Sequence, residues 1–155
     1  MSLSSLVEQY AAGTEVARQA VAGLSREQLL ARPVPGKWST LEVVCHLADF
    51  EIVYVDRLAA VIAEHEPALP GRDEQAFASR LAYHDRDLGE QLHLIQACRS
   101  HMTRVLRTLT DADLARRGIH TEAGPLTLQQ LLGRSIEHVV HHVQFIHEKR
   151  QALQF

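Results

Sequence analysis

The stretch TLQQLLGRSIEHVVHHVQFIHEKRQA, residues 127–152, decides how this chain folds. Thr127 followed by Gln130 is a capping box, a pair that closes the free amides at a helix start. Beyond it, Leu128, Leu131, Val139, Phe145 and Ile146 fall on one arc of the helical wheel, so the segment reads as a long amphipathic helix to about residue 152. Gly133 weakens it locally by about 1 kcal/mol relative to alanine, which core packing offsets. His138 and His142 differ by about 40° around the axis and lie one turn apart, along the edge of the core-facing arc. His141, at about −60° from His138, and His147, at about 180°, point to solvent or a partner.

PGKWSTLEVVCHLADFE (35–51) carries a second strong start, with Ser39 and Glu42 as the capping pair. Val43, Leu47, Phe50, Tyr54, Leu58 and Val61 then recur at helical spacing, predicting a helix over roughly 40 to 65. His46 has Val43, Phe50 and Val53 within about 60° of it on the wheel and therefore faces inward. Leu3 to about Ala22 form another amphipathic helix, stopped at Gly23. SREQLLAR is a short capped helix broken by Pro33 and Pro35. EPALPG is a loop, DEQAFASRLAYHD a partly helical excursion, and about Asp85 to Leu109 a third long helix. Residues 111–117 make a short turn of helix and RGIHTEAGPL reads as loop. No segment sustains strand alternation. The class is therefore all-α, with four long helices burying their apolar faces as a four-helix bundle in one domain, 1–155.

Composition agrees with this and narrows the functions. Hydrophobic residues make up 46% and charged residues 23%, with five prolines and eight glycines, a globular balance. A net charge of −3 with no basic run argues against nucleic acid as a partner. No signal-peptide pattern opens the chain and no long apolar run crosses it, so no membrane is expected and the location is expected to be cytoplasmic. Cys45 and Cys98 read as small buried hydrophobes rather than a bridge. Histidine is the outlier, at ten residues, and it is the commonest neutral metal ligand and general base.

An inward His46 brought against the inward pair His138 and His142 gives three imidazoles converging between helices. Three protein nitrogens with an open position is the arrangement of a catalytic zinc-type site. The competing reading makes His46 a hydrogen-bonded core histidine and the pair a coincidence among ten. His65, His84, His93, His101 and His120 read as solvated.

The chain resembles the DinB-like superfamily, which includes the YfiT-like proteins regarded as metal-dependent hydrolases. The resemblance rests on PGKWSTLEVVCHLADFE and on GPLTLQQLLGRSIEHVVHHVQFI (124–146): a tryptophan and hydroxyl cap before HLAD-like text, then a late helix with HxxHH and Q. It implies a four-helix bundle with long crossover connections, often homodimeric. It also implies a divalent metal held by one histidine of the second long helix and the HxxxH pair of the fourth, here His46, His138 and His142. Members include bacillithiol and mycothiol S-transferases, so a low-molecular-weight thiol is a candidate among small-molecule substrates.

A +2 ion on three neutral imidazoles makes a nucleophile of water or thiol at neutral pH, so the expectation is a metal-dependent thiol S-transferase or hydrolase. Zinc or nickel suits such a site, and iron or copper also fits. Glu42 and Asp49, at about −40° and −60° from His46, are candidates to orient a ligand imidazole through its other nitrogen; the competing roles are helix capping and a solvated flank. Arg57 could meet an anionic substrate group or make a surface ion pair, and Trp38 packs at the helix entrance or stacks on substrate. The alternative function is a non-catalytic bundle binding a small ligand or partner, including a stress-related dimerisation module.

Overall fold

A computed structural model describes residues 1–154; Phe155, the last residue of the expected domain, lies outside the described residues. The four long helices are α1 (Leu3–Ala20), α3 (Thr40–Ala63), α5 (Leu88–Leu106) and α6 (Leu128–Ala152), with short α2 (Arg26–Leu30) and α4 (Glu74–Arg80) in the connections. Local chemistry sets their starts. Ser39 accepts from the Glu42 amide while the Glu42 side chain accepts from the Ser39 amide, and Thr127 and Gln130 repeat the exchange. Asp87 caps α5 through the Glu90 amide, after a 3-10 turn at Tyr83–Asp85, so this helix begins later than its periodicity suggested.

α3 packs against α5 and α6, and α1 packs against the same two. The order round the bundle is therefore α1, α5, α3, α6. Consecutive long helices α1 and α3 sit on a diagonal, as do α5 and α6, and the connections 21–39 and 107–127 cross the bundle. Such links must be long because they span two helix diameters.

The last crossover holds the main departure from the sequence reading. β1 (Ala68–Leu69) pairs in parallel with β2 (Arg117–His120), which pairs antiparallel with β3 (Gly124–Thr127). RGIHTEAGPL is thus a hairpin rather than a loop. Gly118 lets β2 come close: a Cβ there would meet Leu69 and Val61 side-chain atoms at 2.8–2.9 Å. His120, expected in solvent, is buried on this sheet, and its Nδ1 accepts from the Glu122 and Ala123 amides. His65, His93 and His101 are exposed as expected.

The core has two apolar parts. One gathers Ala17, Val44, Leu47, Ile95, Val139 and Ile146; the other gathers Leu6, Leu58, Met102, Leu106, Leu128 and Leu132. Where they meet, Arg99 donates to both Glu51 carboxylate oxygens and to the backbone carbonyls of Tyr10 and Ser135. No helix among the described residues is long and apolar enough to cross a membrane.

Candidate metal centre

His46 sits in the second turn of α3 where every side chain from Leu41 to Asp49 is buried, and its own exposure is 0%. The Trp38 and Phe50 rings flank it, with centroids 5.2 and 4.4 Å away. Because α3 and α6 are packed neighbours, the one-turn spacing of His138 and His142 carries both rings to the same point. His46 Nε2 lies 2.9 Å from His138 Nε2 and 3.1 Å from His142 Nε2. The expected trio comes together, from segments far apart in the chain.

These separations bear on what the site can hold. Metal–nitrogen bonds of about 2.0–2.1 Å in a tetrahedral site put ligand nitrogens about 3.3 Å apart. The rings already stand near that spacing. Burial holds all three below the usual histidine range, His46 at about 3, His138 at about 2 and His142 at about 4, with His142 and its neighbours adding like-charge repulsion. The rings are therefore neutral at pH 7. A neutral ring carries one N–H, and protons on the converging Nε2 atoms would crowd one another. Placing them on Nδ1 instead aims three lone pairs at one point, the donor set of a divalent cation. The buried Nδ1 atoms of His46 and His142 have no hydrogen-bond partner among the described residues, so neither ring is fixed by the usual outer carboxylate or carbonyl. Aromatic packing holds them instead: Tyr54 lies 5.6 Å from the His138 ring and Phe145 5.6 Å from the His142 ring.

The two candidate helpers do something else. Glu42 accepts from its cap amide, from Arg32 Nη2 at 2.7 Å and Nε at 3.2 Å, and lies 3.0 Å from His84 Nε2. It pins the entry to α3 and the turn before α5, and the hydrogen bonds from Arg32 and Ser39 hold it below the usual range against desolvation. Asp49 pairs with Arg86, whose Nη1 and Nη2 donate at 2.7 and 3.2 Å. Neither is bonded to a ligand imidazole, because cations in the connections take both carboxylates. Arg57 is buried and donates to the Pro70 carbonyl at 2.7 Å, tying α3 to the strand connection rather than forming a surface ion pair. Burial pushes the Cys45 thiol up to about 12, and both cysteines are free.

One carboxylate was missed in the sequence. Glu74, first residue of α4, has Oε2 3.9 Å from His46 Nε2 and is half exposed. With Trp38, Phe145, Lys149 and His142 it borders a cleft of about 250 Å³ beside the histidines. His141 and His147 are exposed, outside the cluster.

Comparisons with known proteins give the family and the fold. Residues 9–146 match the family model described as the DinB superfamily. A Bacillus subtilis (strain 168) protein named "Putative metal-dependent hydrolase YfiT" is 32% identical over 132 residues, covering 84% of this chain and 74% of that protein. An Oceanobacillus iheyensis protein, also named "Putative metal-dependent hydrolase", is 30% identical over 129 residues, 83% of this chain and 74% of its own. The solved Bacillus subtilis YfiT, titled "a probable metal-dependent hydrolase with an unusual four-helix bundle topology", superposes with a TM-score of 0.91 at 27% identity, over 99% of this chain and 88% of that one.

Proposed function

The chain belongs to the DinB superfamily, and from that premise we propose that it is a metal-dependent enzyme, a hydrolase, whose ion is held by His46, His138 and His142. The observation that carries this reading is the convergence of three neutral Nε2 atoms at 2.9 and 3.1 Å. The names of the relatives support the hydrolytic chemistry. A divalent cation bound there supplies an undiminished +2 charge, which acidifies a water or a thiol and polarises a carbonyl. Zinc or nickel fits an all-imidazole donor set.

The chain's own residues supply the rest. Trp38 and Phe50 wall off one side of His46 and exclude water from it. Glu74, reaching to 3.9 Å from His46 Nε2, is the group we assign to taking up a proton from the nucleophile. His142 borders the cleft through which substrate enters. The second reading is transfer of a low-molecular-weight thiol, which the same neutral donor set would serve.

The test is elemental analysis of untagged protein with His142→Ala beside it. The expected result is one divalent ion per chain in the wild type, its loss in the variant, and ester or amide hydrolysis abolished by chelator and restored by metal. An unchanged metal content in the variant removes the site. Metal without hydrolysis, but with thiol conjugation, selects the second reading.

A further inference from the structure

Lys149 is 2% exposed, yet among the described residues no carboxylate forms an ion pair with it. Its ammonium makes one hydrogen bond, to the Phe145 carbonyl one turn back on α6 at 3.2 Å. Phe145 lies inside α6, where its carbonyl also takes the amide four residues on, so the ammonium only shares that acceptor. One bond leaves two of the three donors without a hydrogen-bond partner, with the Phe145 ring 5.9 Å from the ammonium. Buried charges are ordinarily paired, so this ammonium is suited to an anionic partner.

The surroundings say what kind of partner would fit. Lys149 lines the same cleft of about 250 Å³ as Trp38, Phe145 and His142, with Lys37 at its rim and Glu74 on the side toward His46. The cleft has an aromatic wall, two cations and a border on the histidine cluster. Burial and Lys37 lower the Lys149 pKa, while Glu148 and Glu42 act to keep its charge. The volume lies just below the usual range of small-molecule sites, which suits a small ligand.

We propose that this cleft is the substrate subsite, built for a small, largely apolar carboxylic acid whose carboxylate pairs with Lys149 while its other end reaches the histidines. The inference rests on the metal-enzyme reading for the reacting end alone. The carboxylate anchor stands on Lys149, the aromatic wall and the cleft. Trp38 is the chain's single tryptophan, so its fluorescence reports occupancy directly.

The experiment titrates 3-phenylpropanoate and its neutral analogue 3-phenylpropanamide into purified protein, both as isolated with its metal and after chelation, with Trp38 fluorescence and calorimetry as readouts. Lys149→Met keeps the apolar stem and Lys149→Gln keeps polarity without charge; circular dichroism checks that each folds. Expected are saturable binding of the acid at least about tenfold tighter than the amide, a ratio that survives chelation, and collapse of that ratio toward one in both variants with metal content unchanged. Equal affinity for acid and amide in the wild type overturns the proposal, as does an unchanged ratio in a folded variant. A preference for the acid that disappears on chelation also overturns it, because the carboxylate would then sit on the metal. Absence of metal from the isolated protein would sink the enzymatic reading while leaving the Lys149 comparison decisive for the subsite.

Discussion

Gly13 on α1 makes room for Arg99 of α5: a Cβ at residue 13 would overlap Nη1 and Cζ of the guanidinium. Through that space Arg99 reaches Glu51 on α3, the Tyr10 carbonyl on α1 and the Ser135 carbonyl on α6. A single buried cation thus ties together all four long helices at the level where the apolar core divides in two.

Gly13→Ala sets two effects against each other. Alanine in a helix interior is favoured over glycine by about 1 kcal/mol. Displacing the guanidinium strands a buried carboxylate, which costs about 3–5 kcal/mol. The second effect wins, and the expected outcome is a loss of about 2–4 kcal/mol, read as a lower urea midpoint at unchanged slope. A more stable Gly13→Ala protein would show that Arg99 finds another route to Glu51.

The Asp49–Arg86 pair predicts a separation of stability from metal binding. Arg86 donates twice to Asp49 and once to Gln91 at 3.2 Å, fastening the connector before α5 onto α3. Both partners are largely buried, so Asp49→Ala should lower stability by about 1–3 kcal/mol. Metal content of the folded variant should not change, since no bond links Asp49 to His46. Loss of the ion from a folded Asp49→Ala protein would restore Asp49 as a group orienting the metal site.

Glu42 and Asp49, held by Arg32 and Arg86, mark the limit of what the sequence discloses. The starts of α3 and α6 were legible because Ser39 with Glu42, and Thr127 with Gln130, act within four residues of themselves. The histidine trio was legible because wheel angles depend only on helical geometry. A wheel angle gives direction, however, and not partner: Arg32 and Arg86 lie in connections whose paths no local rule dictates. The hairpin at 117–127 was hidden for a similar reason, because its strands are four residues long, contain Gly118, Gly124 and Pro125, and owe their register partly to residues 68 and 69. Burial of His120 follows from that pairing. Glu74 stood unremarked in the partly helical excursion 73–85, and its approach to His46 exists only once the segment 64–87 has folded back over α3.

Glu74 should tune the affinity of the metal without deciding its presence. A half-exposed carboxylate whose oxygen lies 3.9 Å from a ligand nitrogen would contribute on the order of 1 kcal/mol of attraction to a cation held there. Glu74→Gln is therefore expected to weaken the dissociation constant of zinc about fivefold at low salt, with the difference shrinking as salt is raised. Stability of the chelated variant should stay within about 0.5 kcal/mol of wild type. A hundredfold loss of affinity would instead make Glu74 a direct ligand.

Acid should destabilise the metal-free protein in a window set by the histidines. His46, His138 and His142 stay neutral in the folded chain down to about 3, 2 and 4, with burial as the first cause in each. In the unfolded chain they protonate near the ordinary value of about 6.5. Below that value the unfolded state binds more protons, so stability is complete above it and falls as pH drops toward the folded values. Each ring contributes about 1 kcal/mol per pH unit once solvent screening is allowed for. His120, held below its usual range by desolvation and by Arg57, adds to the same trend. Urea midpoints of chelated protein measured from pH 7.5 to 5 should fall steeply below 6.5, and His138→Phe should flatten the slope by roughly one ring's share. Zinc should protect across this whole range, because it binds the neutral rings and the folded chain keeps them neutral down to about 4. A midpoint independent of pH across that range would mean that the three rings are not held neutral, and with them would go the lone pairs on which the metal centre depends.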